Sequence, residues 1–250
     1  MSNTTERVEL SGQPGFRVGD QLARSFSLLG RQFPILMLIA LPLAVLSAAL
    51  NGALQAAATA GGGSAIALII LEIVIAVAIY SLCEAMVVYV AVQAMRGRRV
   101  RLGETLGASL PRVIPVLLLT ILSTILIGLA SLLLLIPGLM VLTMTFVAEP
   151  ACVAERRGPI ASISRSAELT RGYRWQVFGL ILLIMILQGI VGAVIGYALR
   201  GVGGLPAQIV NAVWNALTLA FGSVACAVVY HDLRVIKEGV DIEQIAAVFG

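Results

Sequence analysis

The most constraining feature of this chain is where its charges are missing. No formal charge falls from Gln32 to Leu71, from Val113 to Ala148, from Trp175 to Leu199, or from Gly201 to His231. Between Glu72 and Gln93 the only charged residue is Glu84. A helix needs ~20 mostly apolar residues to cross ~30 Å of hydrocarbon, so these runs read as membrane spans. Composition agrees. Charged residues make up 12% and apolar residues 59% of the 250, against ~25% charged in soluble proteins. With a mean hydropathy of +1.00, a water-soluble fold would lack the polar side chains to cover its surface. A soluble domain, a nucleic-acid binder, a disordered chain and a disulfide scaffold are excluded.

The first run divides at Asn51-Gly52 and Gly61-Gly62-Gly63-Ser64, which are turn-forming residues. Val113–Ala148 would make a single helix of ~54 Å, too long for one crossing, and Ile136-Pro137-Gly138 inside it marks a hairpin. The spacing predicts six transmembrane helices over about 33–50, 65–94, 113–135, 139–153, 177–199 and 207–230. The 33–230 membrane domain is flanked by a cytoplasmic N-terminal segment, 1–32, and a cytoplasmic tail, 231–250. A cleavable signal peptide is the rival for the first span, but its leader is long and carries Glu6, Glu9 and Asp20. Threaded as six spans, every one of the 17 Lys and Arg residues except Arg200 falls on one side. A single span across 113–148 would send Arg156 through Arg174, Arg234 and Lys237 to the other side. The positive-inside rule therefore selects the hairpin, with both termini in the cytoplasm of a bacterial inner membrane. The basic pI near 9.3 is then a topology signal, helped by anionic headgroups on the cytoplasmic side.

Short amphipathic segments precede the first, third and fifth spans. Val18, Leu22, Phe26 and Leu29 recur at helical spacing, as do Leu102, Leu106 and Leu110; the third segment runs from Gly158-Pro159 through Ile160, Ile163 and Ala167. Aligned on Leu22, Leu106 and Ile163, each places a serine three positions on: Ser25, Ser109 and Ser166. This suggests an all-α polytopic fold in which a cytoplasmic-side interfacial helix plus a hairpin occurs three times. Ala40, Ala44, Ala48 and Gly52 form a row of small residues, as do Gly189, Gly192 and Gly196. Such rows allow close helix packing, within the chain or across a homodimer.

Catalytic motifs are missing. His231 is the single histidine, so no metal-binding cluster and no cofactor site is expected, and no nucleophile-elbow, zinc-protease or phosphate-loop pattern occurs. Cys83, Cys152 and Cys226 read as reduced, small apolar residues. The aromatic residues Tyr173, Trp175 and Tyr230 at one set of helix ends, and Tyr197 at the other, read as an interfacial belt. An ionisable group within a span is a candidate functional site. Glu84 lies ~18 Å along its helix from Arg96, near mid-bilayer, with Glu72 shallower. One reading has Glu84 protonated and bonded structurally to Gln188, Asn215, Thr143 or a hydroxyl across the bundle; the other makes it a proton or substrate site. Arg98, Arg99, Arg101, Arg156, Arg157, Arg165, Arg171 and Arg174 are the expected contacts for lipid headgroups or a partner protein.

Several strings carry a family resemblance: Ile136-Pro137-Gly138-Leu139, Glu155, Gly158-Pro159-Ile160, Ser166 through Gly172, Trp175, Phe178-Gly179, Tyr230-His231-Asp232-Leu233-Arg234, Lys237-Glu238-Gly239 and Asp241. Together they resemble the glycerophosphoryl diester phosphodiesterase membrane domain family, including its stand-alone, YciC-like members. Some relatives fuse this region to a phosphodiesterase barrel. No such barrel lies within these residues, so the resemblance implies a six-helix membrane module and not the activity. The expected function is a non-enzymatic module that organises lipids or partner proteins. The alternative is a small transporter or lipid-translocating permease using an intramembrane glutamate.

Overall fold

The computed structural model describes residues 16–59, 65–98, 102–202 and 204–239. The described residues are helical, with no strand among them. The helices are α1 (Val18–Thr59), α2 (Ala65–Met95), α3 (Leu102–Ser109), α4 (Val113–Leu133), α5 (Leu135–Thr145), α6 (Ala148–Ala154), α7 (Pro159–Thr170), α8 (Arg174–Ala198) and α9 (Leu205–Glu238), with a 3-10 turn at Leu110–Arg112. Six stretches are long and apolar enough to cross a membrane: Val18–Leu50, Ile73–Met95, Leu102–Leu132, Ile136–Ala154, Arg174–Ala198 and Leu205–Glu238. The chain is an all-α, polytopic membrane fold.

Sequence and structure differ instructively at three joints. The expected hairpin turn at Ile136-Pro137-Gly138 is tighter than a three-residue loop. Leu134 alone is extended (φ −162°, ψ 150°), and Pro137-Gly138 belong to the first turn of α5, where the missing N–H of proline costs little. Gly138 is required there, because a Cβ would stand 2.9 Å from the Cα of Ser131 on α4.

The fourth span is broken. Val147 leaves helical geometry (φ −100°, ψ 18°) between α5 and α6. Pro150 explains the break, since it has no N–H to give the carbonyl of Phe146. Two side chains satisfy the loose ends: the Cys226 thiol donates to the Phe146 carbonyl at 2.7 Å, and the Val147 N–H donates to Ser166 Oγ at 3.2 Å.

The third difference is the first amphipathic segment. α3 and α7 are separate short helices, as expected, but the residues from Val18 continue without a break into the first span. Pro34 and Pro42 lie inside α1. Packing on both sides of Pro34 outweighs the lost hydrogen bond, with Gln21 held by Asp232 of α9 and Leu36 and Ile39 buried in the core.

The three aligned serines share one environment. Ser25, Ser109 and Ser166 are all buried, and so are the residues four positions earlier, Gln21, Thr105 and Ser162. Each unit thus turns the same polar i,i+4 pair inward.

α2 and α9 form the centre of the bundle, with α1 against both. One apolar cluster joins Val87, Val88 and Val90 of α2 to Leu36, Leu119, Ala148 and Ala220. A second joins Val147, Leu169, Val177, Phe221 and Leu233. Of the small-residue rows, Ala40 is buried and Ala44 packs at the core edge, whereas Ala48 and Gly52 are exposed. Gly192 faces Trp214, and Gly189 and Gly196 open onto free space.

Candidate functional site

Glu84 lies on the buried face of α2, with 5% of its surface exposed. The Glu149 carboxyl of α6 and the Tyr80 hydroxyl, one turn away on α2, stand beside it. The cause is again Pro150, because the break it forces lets α6 start afresh and carries the preceding glutamate in against α2. The Cys83 and Cys226 thiols stand close enough to feel these carboxyl charges. One oxygen of the pair, Glu84 Oε2, is fully buried without a hydrogen-bond donor, and Ser81 Oγ and Ser223 Oγ are in the same state.

The partners expected for Glu84 are elsewhere. Gln188 Nε2 donates to the Thr218 carbonyl at 3.3 Å, tying α8 to α9. Thr143 donates to Met140 of its own helix at 2.8 Å, and Asn215 is exposed. The reason is positional: Glu84 meets α6, whereas Gln188 lies between α8 and α9. The backbone of Glu72 belongs to α2, but its side chain lies outside the described residues.

A second constellation gathers at the basic end. Glu155, in the turn after α6, accepts from Arg165 Nε at 3.0 Å and the Tyr230 hydroxyl at 2.7 Å, and pairs ionically with Arg157 at 2.6 Å. Burial pushes the Glu155 carboxyl up, but the Tyr230 hydroxyl and Arg165 outweigh it and hold the group below its ordinary 4.5. Arg165 also pairs with Glu238 and, at 3.5 Å, with Glu168. Arg234 closes the cluster on Glu238 at 2.8 Å. Beside it, Asp232 accepts from Gln21 at 2.5 Å and pairs with Arg24 at 2.9 Å, with His231 Nδ1 at 3.2 Å. Of the strings that carried the resemblance, Glu155, Glu168, Tyr230, His231, Asp232, Arg234 and Glu238 are parts of a clamp joining α1, α7 and α9.

This corrects two expectations. Tyr230 is 2% exposed and bonded within the protein, so it has no place in an interfacial belt; Trp175 and Tyr197 are exposed. Arg165, with only 10% of its side chain exposed, is spent on internal acids and is not free for headgroups. Arg157 is half-exposed but paired with Glu155. Arg98, Arg156 and Arg171 are exposed and have no acidic partner among the described residues. Arg174 is half-buried, with its Nε unpartnered. Arg99 and Arg101 lie outside the described residues. Across the bundle, Arg200 stacks 5.2 Å above the Tyr197 ring.

Between α1 and α2, at the same end, lies an open groove of about 440 Å³. Arg31, Gln32 and Arg98 line its polar side, and Leu28, Ile35 and Ala94 its apolar side. Among the described residues no cluster of His, Cys, Asp and Glu is suited to a metal ion.

A family model matches residues 66–233, from α2 through most of α9. The chain belongs to DUF7847, a domain of unknown function. The match takes in Glu84, Glu149, Glu155 and Arg165, and α1 lies before it. No curated protein and no solved structure matches the chain.

Proposed function

We propose that this DUF7847 chain is a non-enzymatic membrane module that engages anionic phospholipid at its basic end. Both termini would lie in the cytoplasm of a bacterial inner membrane. The carrying observation is the groove between α1 and α2. Two guanidiniums without acidic partners, Arg31 and Arg98, stand beside an apolar wall. That combination suits a lipid phosphate with its acyl chains, because guanidinium forms charge-assisted, bidentate bonds to phosphate oxygens. The clamp supports the same reading, since it consumes the nearby acids and leaves a surplus of positive charge at one level. The resemblance to the glycerophosphoryl diester phosphodiesterase membrane domain family fits a lipid-facing module too, without its enzymatic activity. A membrane-protein partner or a second copy on the exposed Gly189 and Gly196 face is compatible with this role.

The test is lipid retention. The purified full chain, in nanodiscs containing phosphatidylglycerol and phosphatidylcholine, is released and weighed by native mass spectrometry. Retention of phosphatidylglycerol should exceed that of phosphatidylcholine and should fall about tenfold in R31Q/R98Q, on the scale of one charge-assisted bond. Equal retention of the two lipids, or no change in the variant, would overturn the reading. The transporter alternative is favoured by one observation, the meeting of Glu84 and Glu149 in the bundle.

A further inference from the structure

We propose that Glu84 and Glu149 together form a proton-binding site inside the bundle, with one proton held between the two carboxyls. The inference is independent of lipid engagement at the basic end. The two side chains come from different elements, α2 and α6, and are brought together by the Pro150 break. Ionised carboxylates only accept hydrogen bonds. Two of them in contact within apolar surroundings repel, and a proton between them turns that repulsion into a strong hydrogen bond.

The groups facing the pair are the Tyr80 hydroxyl and the Cys83 thiol on α2 and the Cys226 thiol on α9. None of these carries a positive charge that could compensate two adjacent carboxylates. A second observation points to a missing ligand: Glu84 Oε2 is a buried acceptor with no donor, and Ser81 Oγ, one turn along the same helix, is also buried and unpartnered. A proton is the ligand that lets one of two acceptor-only carboxylates donate to the other. Binding balances simply. Two carboxylates take up one proton to become an acid–carboxylate pair, and alkaline conditions release it. The pair titrates as a unit.

The experiment is infrared spectroscopy of the full chain in bilayers, titrated with pH and repeated in D2O. Wild type should show a carboxylic-acid C=O band at neutral pH that shifts in D2O and vanishes when the sample is made alkaline. Glu84→Gln and Glu149→Gln should each remove or shift that same band. A band left unchanged in either variant would assign the proton to one carboxyl alone and overturn the shared site. Absence of any such band in wild type at neutral pH would overturn it without recourse to a variant.

Discussion

From Cys83 to Val92, α2 is buried almost residue by residue, and so is α9 from Ala220 to Tyr230. The far ends of the same two helices behave differently: Ile70, Leu71, Ile73 and Val74 on α2 and Leu205, Ile209 and Val210 on α9 are exposed. Both stretches are apolar, so hydropathy alone does not separate them. The buried end differs in its polar seam, made of the Gln21/Ser25, Thr105/Ser109 and Ser162/Ser166 pairs, the Glu155–Arg165 clamp and the Cys226 thiol bonded to Phe146 at the break between α5 and α6. Lipid tails are as apolar as leucine, so grease does not drive helices together in a bilayer; close packing and polar contacts do. The seam accordingly marks where the bundle is solid, and the opposite end is left to be covered by lipid.

Three comparisons bear on that contrast, in decreasing order of effect. Arg165→Ala removes one side of the buried clamp and leaves Glu155 under-compensated. Thermal unfolding in detergent should show a loss of about 3 kcal/mol or more, whereas Arg156→Ala at the exposed turn should change stability by less than ~0.5 kcal/mol. Equal effects would deny the clamp its role. Next, Leu119, with no exposed surface, and Leu132, 84% exposed, are matched leucines on α4. Leu119→Ala should cost about 2 kcal/mol or more and Leu132→Ala less than ~0.5 kcal/mol. A comparable loss at Leu132 would reveal a partner on the sparse end.

The smallest effect is a pH slope. Because the folded Glu155 carboxyl titrates below its ordinary 4.5, its contribution is intact at neutral pH. It fades as acid carries the group through its folded value. Glu155→Gln should flatten the acid limb of a melting-temperature titration below pH 4.5, where the wild-type carboxyl takes up its proton. An unaltered limb would place the acid sensitivity elsewhere.

The spans were legible because a missing charge is a local signal, and Glu84 was legible for the converse reason. Glu149 was not, since it follows an uncharged run and reads as a helix end at the membrane surface. Pro150 held the clue: a proline within a span must orphan the carbonyl four residues earlier. The clamp was illegible because its members are far apart in sequence, Glu155 from Tyr230 and Arg165 from Glu238, and no periodicity links them. Aligning three serines caught half of the repeated seam. The other half escaped because Gln21, Thr105 and Ser162 share burial and polarity but not identity.

At ~1.5 Å per residue, the 42-residue α1 is ~63 Å long, about twice the hydrocarbon thickness. One continuous helix therefore runs from its anchor on α9, where Arg24 grips Asp232, past Pro34 and Pro42 to the sparsely packed end. A push at the anchored end would be carried to the exposed stretch around Val45 and Leu46, with no loop between to absorb the stroke.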